Sequence, residues 1–439
     1  MPGRARRHGS SRIKIGCGLA CAALPPGRTR GARTWVGDRS SCPQPATVPA
    51  AYARYRRVGS MVTLRTPAVP DDSSAAPPSL HQAGSPRSRR LHSLDGLRLL
   101  AALMVTAFHF CAFDNWSSHR WGVATAQVFP VFQPIASYGW LGVELFFLIS
   151  GFVICMSCWG RSAAHFAVGR LIRLYPAYWF AVVFTATVMF CTRHGNSGFT
   201  TRRILINLTM LQQPLGVRNI DPTYWTLWAE LRFYLLFALV TAVGLTHRRV
   251  LGFCAAWLLA SAAAPYLGNA LLTSLAMPSA TPFFAGGILL YLMHRAGPTP
   301  AVCLLLAASW LLAQDQLHLL VPKAEVSVGN QLSWPVSLTV VTAFYLILMS
   351  LALKEPAFLD RRWLATAGSL TFPLYLLHEK PGWEAIRLIH PLMPPWALLA
   401  VLMATLLTIS WLVHHYVEQP AARTLRKASG AYGRPRPRG

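Results

Sequence analysis

Several ionisable side chains stand inside long apolar segments, where a charge is costly and marks a functional site by default. Asp95, Arg98 and His109 lie in the first segment, Glu144 in the second and Glu230 in the fourth. A histidine, with an ordinary pKa of about 6.5, can accept and return protons near neutral pH. In a dry site, a carboxylate could orient its ring and stabilise the imidazolium. This combination suits activation of a hydroxyl group for attack on a thioester.

The spacing of Arg98 and His109 predicts that they share one face of a helix. Their separation of eleven residues ends about 20° past three whole turns, roughly 16 Å along the axis. We expect Arg98 near the cytoplasmic headgroups, paired with Asp95 across one turn, and His109 near the middle of the membrane. Glu230 or Glu144 would orient the His109 ring. The structural alternative is a histidine that only hydrogen-bonds a neighbouring helix.

Two arginines, Arg170 and Arg173, lie close to one helical turn apart at the start of the third apolar segment. Guanidinium groups bind phosphates with bidentate geometry. The pair is therefore a candidate for holding a phosphorylated donor that arrives from the cytosol. Alternatively, the two arginines only contribute to the excess of positive charge that is typical of cytoplasmic helix ends.

The composition argues against an ordinary soluble protein. Of 439 residues, 53% are hydrophobic and only 13% are charged, and the mean hydropathy is +0.37; soluble domains carry about 25% charged residues. A helix needs roughly 20 apolar residues to cross about 30 Å of hydrocarbon. The pattern predicts an all-α polytopic membrane protein with about ten transmembrane helices, at residues 94–113, 138–158, 174–192, 224–245, 249–267, 279–293, 300–319, 335–353, 363–379 and 396–415.

The net charge of +26 is concentrated at the ends of the chain. Residues 1–90 are basic and rich in Pro, Gly and Ser, which predicts a disordered leader; 91–426 form the membrane domain and 427–439 a disordered basic tail. The basic ends predict that both termini are cytoplasmic and that the protein is a multi-pass protein of the cell membrane, in contact with the lipid bilayer. Because the sequence shows no recognisable nucleic-acid-binding fold, this charge does not indicate nucleic-acid binding.

The cysteines, including the Cys155-x-x-Cys158 pair, favour apolar packing over a metal or redox site.

Six motifs, in order over residues 94–426, resemble those of the integral-membrane acyltransferase family three. Arg98 and His109 match its Arg-x10-His signature. The other matching segments are Gly142–Phe152, Arg170–Tyr178, Tyr224–Tyr234, Thr371–His378 and Tyr416–Pro420. The resemblance implies ten helices, an acyl-CoA donor approached from the cytoplasm and essential roles for Arg98 and His109. The chain resembles the standalone members, which lack an additional hydrolase-like domain.

The motifs also supply the other candidate site residues. Glu230 joins Arg98 and His109 as a catalytic candidate. Candidate contacts to acyl-CoA or substrate are Arg170, Arg173, Glu144, Tyr178, Trp225 and His378. No metal and no permanently bound cofactor are expected.

The predicted function is transfer of an acetyl or other short acyl group from acyl-CoA to a hydroxyl. The hydroxylated acceptor would be a sugar, an exported glycan or a macrolide-type antibiotic. A membrane transporter or exporter is the main alternative, because ionisable residues within the membrane suit that function too. A non-catalytic membrane scaffold is a weaker alternative, because polar residues concentrate in the early helices.

Overall fold

Apolar runs of 16 to 30 residues, bounded by capping residues and prolines, form the helices of this protein. The computed structural model describes residues 92–114, 120–192, 198–354 and 361–428, and none of these residues is in a strand. The predicted leader, 1–90, and all but the first two residues of the predicted tail, 427–439, lie outside the described residues.

Fourteen helices of seven residues or more are labelled here in chain order. They are α1 His92–Ala107, α2 Gly142–Cys158, α3 Ala163–Thr192, α4 Thr201–Leu208, α5 Trp225–Val243, α6 His247–Leu267, α7 Ala270–Ala276, α8 Thr281–Ala296, α9 Pro300–Val328, α10 Trp334–Leu353, α11 Arg362–Leu377, α12 Glu379–Ile389, α13 Pro395–Val413 and α14 Gln419–Ala428. Two π-helical turns, Phe108–Ala112 and His414–Glu418, follow α1 and α13 directly. Short helical turns occupy Thr125–Val128, Gln133–Ala136, Gly139–Leu141, Pro222–Tyr224 and His390–Leu392.

The prediction of about ten membrane helices is confirmed for the described part of the chain. Nine helical stretches there are long and apolar enough to cross a membrane, and a tenth, Trp363–Leu377, is apolar but shorter. Each overlaps one predicted segment. The largest differences are at the ends of the predicted segments. The third stretch begins at Ala163 rather than 174, and the last continues through α14 to Lys427, because polar residues that project beyond the hydrocarbon can still continue a helix.

Side-chain caps set several of these helix starts. Thr246 Oγ1 accepts a hydrogen bond from the backbone N–H of Arg249 at 3.2 Å, and Thr299 caps α9 in the same way. Such caps satisfy backbone donors that have no partner in the first turn of a helix. Local sequence therefore fixes where α6 and α9 begin.

The tightest helix contact in the core joins α2 to α8. A Cβ atom on Gly287 would lie 1.9 Å from the carbonyl oxygen of Leu148, and one on Gly151 would lie 2.1 Å from that of Phe284. These distances are shorter than any allowed contact, so only glycine fits at both positions. Small residues at helix interfaces are typical of membrane proteins, where close backbone approach increases packing.

The helix ends are gathered at two opposite ends of the bundle. At one end lie the start of α1, the end of α2 and the starts of α3 and α11, with the end of α13. At the other lie the end of α1, the starts of α2 and α5, and the end of α11. Under the predicted topology, the first end is cytoplasmic and the second extracytoplasmic.

Candidate active site

Three cavities follow one another through the bundle between these two ends. The first, here called the vestibule, has a volume of about 1070 Å³ and is lined by Arg98, Arg170 and Arg173 among others. These arginines also line the second cavity, the neck, of about 90 Å³. The neck shares Val143 and Tyr375 with the third, the chamber, of about 390 Å³. Because neighbouring cavities share walls, they form one row from a basic opening to the site of His109.

His109 lies in the chamber, in the π-helical turn at the end of α1. Single π turns are rare and occur often at functional sites. Sequence predicted a position near mid-membrane. The structure instead places His109 three residues before Ala112, where the first membrane-crossing stretch ends. The histidine is therefore near the end of the helix opposite Arg98.

Hydrogen bonds determine which nitrogen of His109 carries the proton. His109 Nδ1 lies 2.9 Å from the carbonyl oxygen of Val105 and 3.1 Å from Nε2 of His378. His378 Nδ1 in turn lies 2.8 Å from the carbonyl oxygen of Tyr375. A carbonyl only accepts, so Nδ1 of each neutral ring is the donor, and His378 Nε2 is left as an acceptor. His109 therefore keeps an unprotonated Nε2, as a general base requires.

The carboxylate beside this free nitrogen belongs to Glu379. Its Oε2 lies 3.8 Å from His109 Nε2, too far for a direct hydrogen bond but close enough for one small group to bridge the two atoms. Among the described residues, no other carboxylate lies within 4 Å of a His109 nitrogen. The expectation that Glu230 or Glu144 orients the ring is thus corrected. α12 follows directly after α11 and brings Glu379 to the chamber, whereas Glu230 lines the neck.

Asp221 and Arg120 set the electrostatic surroundings of Glu379. Burial, and then the negative charge of Asp221, raise the pKa of the Glu379 carboxyl well above its ordinary value, against the opposing effect of Arg120. Asp221 is fully buried, and its Oδ2 accepts from the backbone N–H of Lys380 at 3.0 Å. It therefore ties the start of α5 to the start of α12. A carboxyl with a raised pKa takes up a proton more readily than an ordinary one.

Aromatic side chains form the walls of the chamber. The Trp383 indole N–H donates to the carbonyl oxygen of His109 at 2.9 Å, so this ring is fixed against the π turn. The guanidinium carbon of Arg120 lies 3.4 Å from the centre of the Trp383 ring. Burial lowers the pKa of Arg120 to about 10, which still leaves it charged at neutral pH. Phe113 and Trp225 complete an aromatic lining with one fixed cation.

The neck brings together most of the other predicted residues. Arg98 pairs with Asp95 at 3.7 Å, as the one-turn spacing predicted. Glu230 accepts from Ser150 at 3.4 Å and from the Tyr234 hydroxyl. Arg170 donates to Ser157 at 2.7 Å and, like Arg173, faces both the vestibule and the neck. The predicted donor-binding arginines and Glu230 therefore line one continuous path, on the cytoplasmic side of His109 in the predicted topology.

Four of the predicted acyl-CoA or substrate contacts lie outside the lining of the neck. Trp225 lines the chamber. His378 lies fully buried behind His109, and the lining of the three cavities does not include it. Tyr178 is also outside that lining: its hydroxyl donates to the carbonyl oxygen of Asn207 at 2.6 Å and so holds the end of α4 against α3. Glu144 is buried away from the cavities, with one carboxylate oxygen lacking a hydrogen-bond partner.

Comparison with known proteins identifies the family of this chain. The family described as "Acyltransferase domain", acyltransferase family three, matches residues 91–415. The chain belongs to this family. It is also 30% identical over 162 residues to the acyltransferase MdmB of Streptomyces mycarofaciens, an alignment that covers 35% of this chain and 40% of the length of MdmB. No solved structure gives a significant match. The resemblance inferred from the ordered motifs is confirmed.

Sequence reasoning missed Glu379, Arg120 and Trp383 in the chamber lining of this family member, and the buried Asp221 that acts on Glu379. Glu379 could have been found, because it follows His378 directly at the end of an apolar run. Asp221 lies in the long loop before α5, which hydropathy alone does not place. Arg120 and Trp383 belong to segments outside the apolar runs, so composition gave no signal for either of them.

Proposed function

We propose that this protein is a membrane O-acyltransferase that moves a short acyl group from acyl-CoA to a hydroxyl of an acceptor. The observation that supports this function best is the row of cavities that links a basic opening to His109, whose Nε2 lacks a proton. Family membership supports the reaction class. The donor and the acceptor class are inferred from the chemistry of the cavities.

The vestibule and neck suit the two halves of acyl-CoA. Arg170 and Arg173 stand where the wide basic cavity narrows, and they offer bidentate donors to phosphate oxygens. Beyond them, the neck is narrow and largely apolar, with Phe146 and Phe147 in its wall. A thin pantetheine arm fits such a passage better than a charged nucleotide does. Threaded this way, the thioester would reach the chamber past Val143 and Tyr375.

In the proposed reaction, the acceptor hydroxyl lies between His109 Nε2 and Glu379 Oε2. Nε2 takes the hydroxyl proton as the oxygen attacks the thioester carbonyl carbon. The carbon–sulfur bond then breaks, the new ester is released, and the imidazolium returns its proton to the departing thiolate to give free CoA. The Glu379 carboxyl holds the acceptor oxygen beside Nε2 by a hydrogen bond, and Arg120 offers a positive charge near the developing oxyanion. A route through an acyl group on His109 Nε2 is the second possibility at the same atom.

The chamber suits a hydroxylated acceptor with apolar faces. Trp225, Trp383 and Phe113 offer flat rings, while the Glu379 carboxyl and the Arg120 guanidinium offer polar groups for hydrogen bonds to hydroxyls. Sugar rings combine apolar C–H faces with hydroxyls, as do glycosylated antibiotics. We therefore propose a sugar, an exported glycan or a macrolide-type molecule as acceptor, approached from the end opposite the vestibule.

His109→Gln in the full-length purified protein tests this function. General-base catalysis contributes about 10²–10⁴-fold to rate, so kcat for transfer from labelled acetyl-CoA should fall at least about 100-fold. The matched control is His318→Gln, because His318 stacks on Trp334 and is exposed outside the lining of the three cavities. Free thiol release and labelled product are both measured, over a panel of hydroxylated acceptors.

Wild-type activity in His109→Gln would disprove the assigned role of His109. If the wild type releases no CoA with any acceptor but moves an acceptor across vesicles, the transporter alternative is favoured instead. Label that remains on the protein without acceptor, and is lost in His109→Gln, would identify the acyl-histidine route.

A further inference from the structure

The last described helix, α14, lines part of the vestibule, as does α3 with its arginines. Arg423 and Arg426 of α14 line this cavity, as do Gln419 and Ala422. These positions follow the spacing i, i+3, i+4, i+7, which places them on a single face of the helix. Lys427 is exposed on the same helix but is outside that lining. The vestibule therefore receives arginines from both α3 and α14.

A chain of hydrogen bonds sets the position of α14. His414 Nδ1 donates to Glu418 Oε2 at 2.6 Å, and the Gln419 amide lies 3.2 Å from His414 Nε2. Arg423 then donates to the Gln419 side-chain oxygen at 3.1 Å. These bonds run through the π turn His414–Glu418, which overlaps the closing family motif Tyr416–Pro420. The motif thus fixes α14 relative to α13 and aims Arg423 at the cavity.

The charge of the vestibule exceeds what its own carboxylates neutralise. Among the described residues, its lining holds six arginines, Arg98, Arg161, Arg170, Arg173, Arg423 and Arg426, against two carboxylates, Asp95 and Glu418. Asp95 already pairs with Arg98, and Glu418 already accepts from His414. A concave site with this excess of guanidinium groups is suited to a ligand that carries several phosphates. Arg423 uses one of its nitrogens for Gln419 and retains further donors.

Two stacked rings distinguish the vestibule from a simple basic patch. Trp411 and His415 lie parallel, with a ring separation of 5.4 Å and an interplanar angle of 6°, and both line the vestibule. Trp411 is 45% exposed, so one face can receive another flat ring. Stacking on aromatic side chains is a common mode of binding for nucleotide bases. A phosphate-binding arginine pair beside an open aromatic face matches a phosphorylated nucleoside.

We propose that α14 is the second half of the donor site, in which Arg423 and Arg426 bind the 3′-phosphorylated nucleotide end of CoA. This inference rests on the proposed function. The α3 arginines Arg170 and Arg173 then hold the diphosphate at the mouth of the neck, while α14 binds the part of the donor farthest from the thioester. In this proposal the α14 contacts are made equally in the ground state and in the transition state, so they lower the KM for acyl-CoA and leave kcat unchanged.

The experiment compares Arg423→Gln, Arg426→Gln and Lys427→Gln in the full-length purified enzyme. The donors are acetyl-CoA, 3′-dephospho-acetyl-CoA and acetyl-pantetheine. Loss of one charge-assisted contact should raise the KM for acetyl-CoA about tenfold in each arginine variant, with a smaller rise for the dephospho donor and none for acetyl-pantetheine. Lys427→Gln should match the wild type with every donor. A similar rise for all three donors, or the same rise in Lys427→Gln, would overturn the proposal.

Two further measurements distinguish the proposed α14 site from a failure of the proposed donor and from binding to lipid headgroups. Binding of free CoA, followed by calorimetry, does not require turnover: weaker binding in the arginine variants supports the α14 site even if no acceptor is found. Absence of CoA binding by the wild type contradicts both this site and the proposed donor. Repeating the kinetics in vesicles of neutral and of anionic lipid tests a headgroup role, because an effect seen only with anionic lipid would assign Arg423 and Arg426 to the membrane surface.

Discussion

At the residue scale, the reactivity of His109 depends on the groups behind its ring. Val105 and His378 both lie within hydrogen-bond distance of Nδ1, so this nitrogen holds the proton and Nε2 faces the chamber. Glu379 approaches Nε2 from the other side. In the proposed reaction, His378 acts as a positioning residue for the base rather than as a substrate contact, because it is fully buried and outside the cavity lining.

Replacing His378 with phenylalanine removes one of the two acceptors of His109 Nδ1, leaves the Val105 carbonyl, and keeps a flat ring in the core. We expect kcat to fall about tenfold to 100-fold, as is common when a group that orients a catalytic histidine is lost, with the KM values for donor and acceptor unchanged. His378→Gln, which restores a side-chain acceptor, should recover part of kcat. Steady-state kinetics of both variants measure the effect. Equal loss in the two, with raised KM, would indicate a general packing defect instead.

At the element scale, the contact between α2 and α8 holds the wall of the donor path. α2 carries Val143 and Ser150 into the neck, and its position depends on two glycines that allow its backbone to touch that of α8. The π turn after α1 has a comparable local effect, because it directs His109 into the chamber at the point where the apolar run ends.

Gly287→Ala should destabilise the protein, because its methyl group would lie 1.9 Å from the Leu148 carbonyl and force α2 and α8 apart. Overpacking of this kind costs about 1–3 kcal/mol, so the midpoint of thermal unfolding in detergent should fall. Gly252→Ala on α6 is the matched control, since a Cβ there meets nothing within 4 Å. If both variants unfold at the wild-type temperature, the close contact between α2 and α8 is not important for stability.

At the scale of the whole molecule, the two ends of the bundle should face opposite sides of the membrane. The excess of basic residues at the chain ends predicts that the vestibule faces the cytoplasm. Acyl-CoA and its acceptor would then meet at His109 from opposite sides. This topology is open to a direct test with single cysteines, one at each end of the bundle.

A membrane-impermeant maleimide should label Val131→Cys in intact cells and Lys427→Cys only after the membrane is opened. Val131 is 85% exposed and precedes α2 at the chamber end, while Lys427 lies on α14 at the vestibule end. Both cysteines are introduced after accessible native cysteines, such as Cys191 and Cys303, have been replaced by serine. The reverse labelling pattern would invert the topology and place the vestibule outside the cell.

Local sequence was sufficient for the helices and their approximate number. Within hydrocarbon, each crossing segment must satisfy its own backbone hydrogen bonds and remain apolar along its length, so each helix is specified by its own residues. The helical period also predicted that Arg98 pairs with Asp95. It separated Arg98 from His109 along the first helix. The order of short motifs then identified the family, since each motif occupies one helix or helix end.

Only the tertiary structure decided which groups meet around His109. His378 and Glu379 lie about 270 residues further along the chain, and they reach His109 because α11 packs beside α1 and ends at the same level. Glu230 was an equally reasonable companion by sequence, yet α5 directs it into the neck. Contacts between helices depend on packing across the whole bundle, which the period of a single helix does not contain. For the same reason, sequence indicated a polar cavity, but the structure revealed a row of three with His109 at one end.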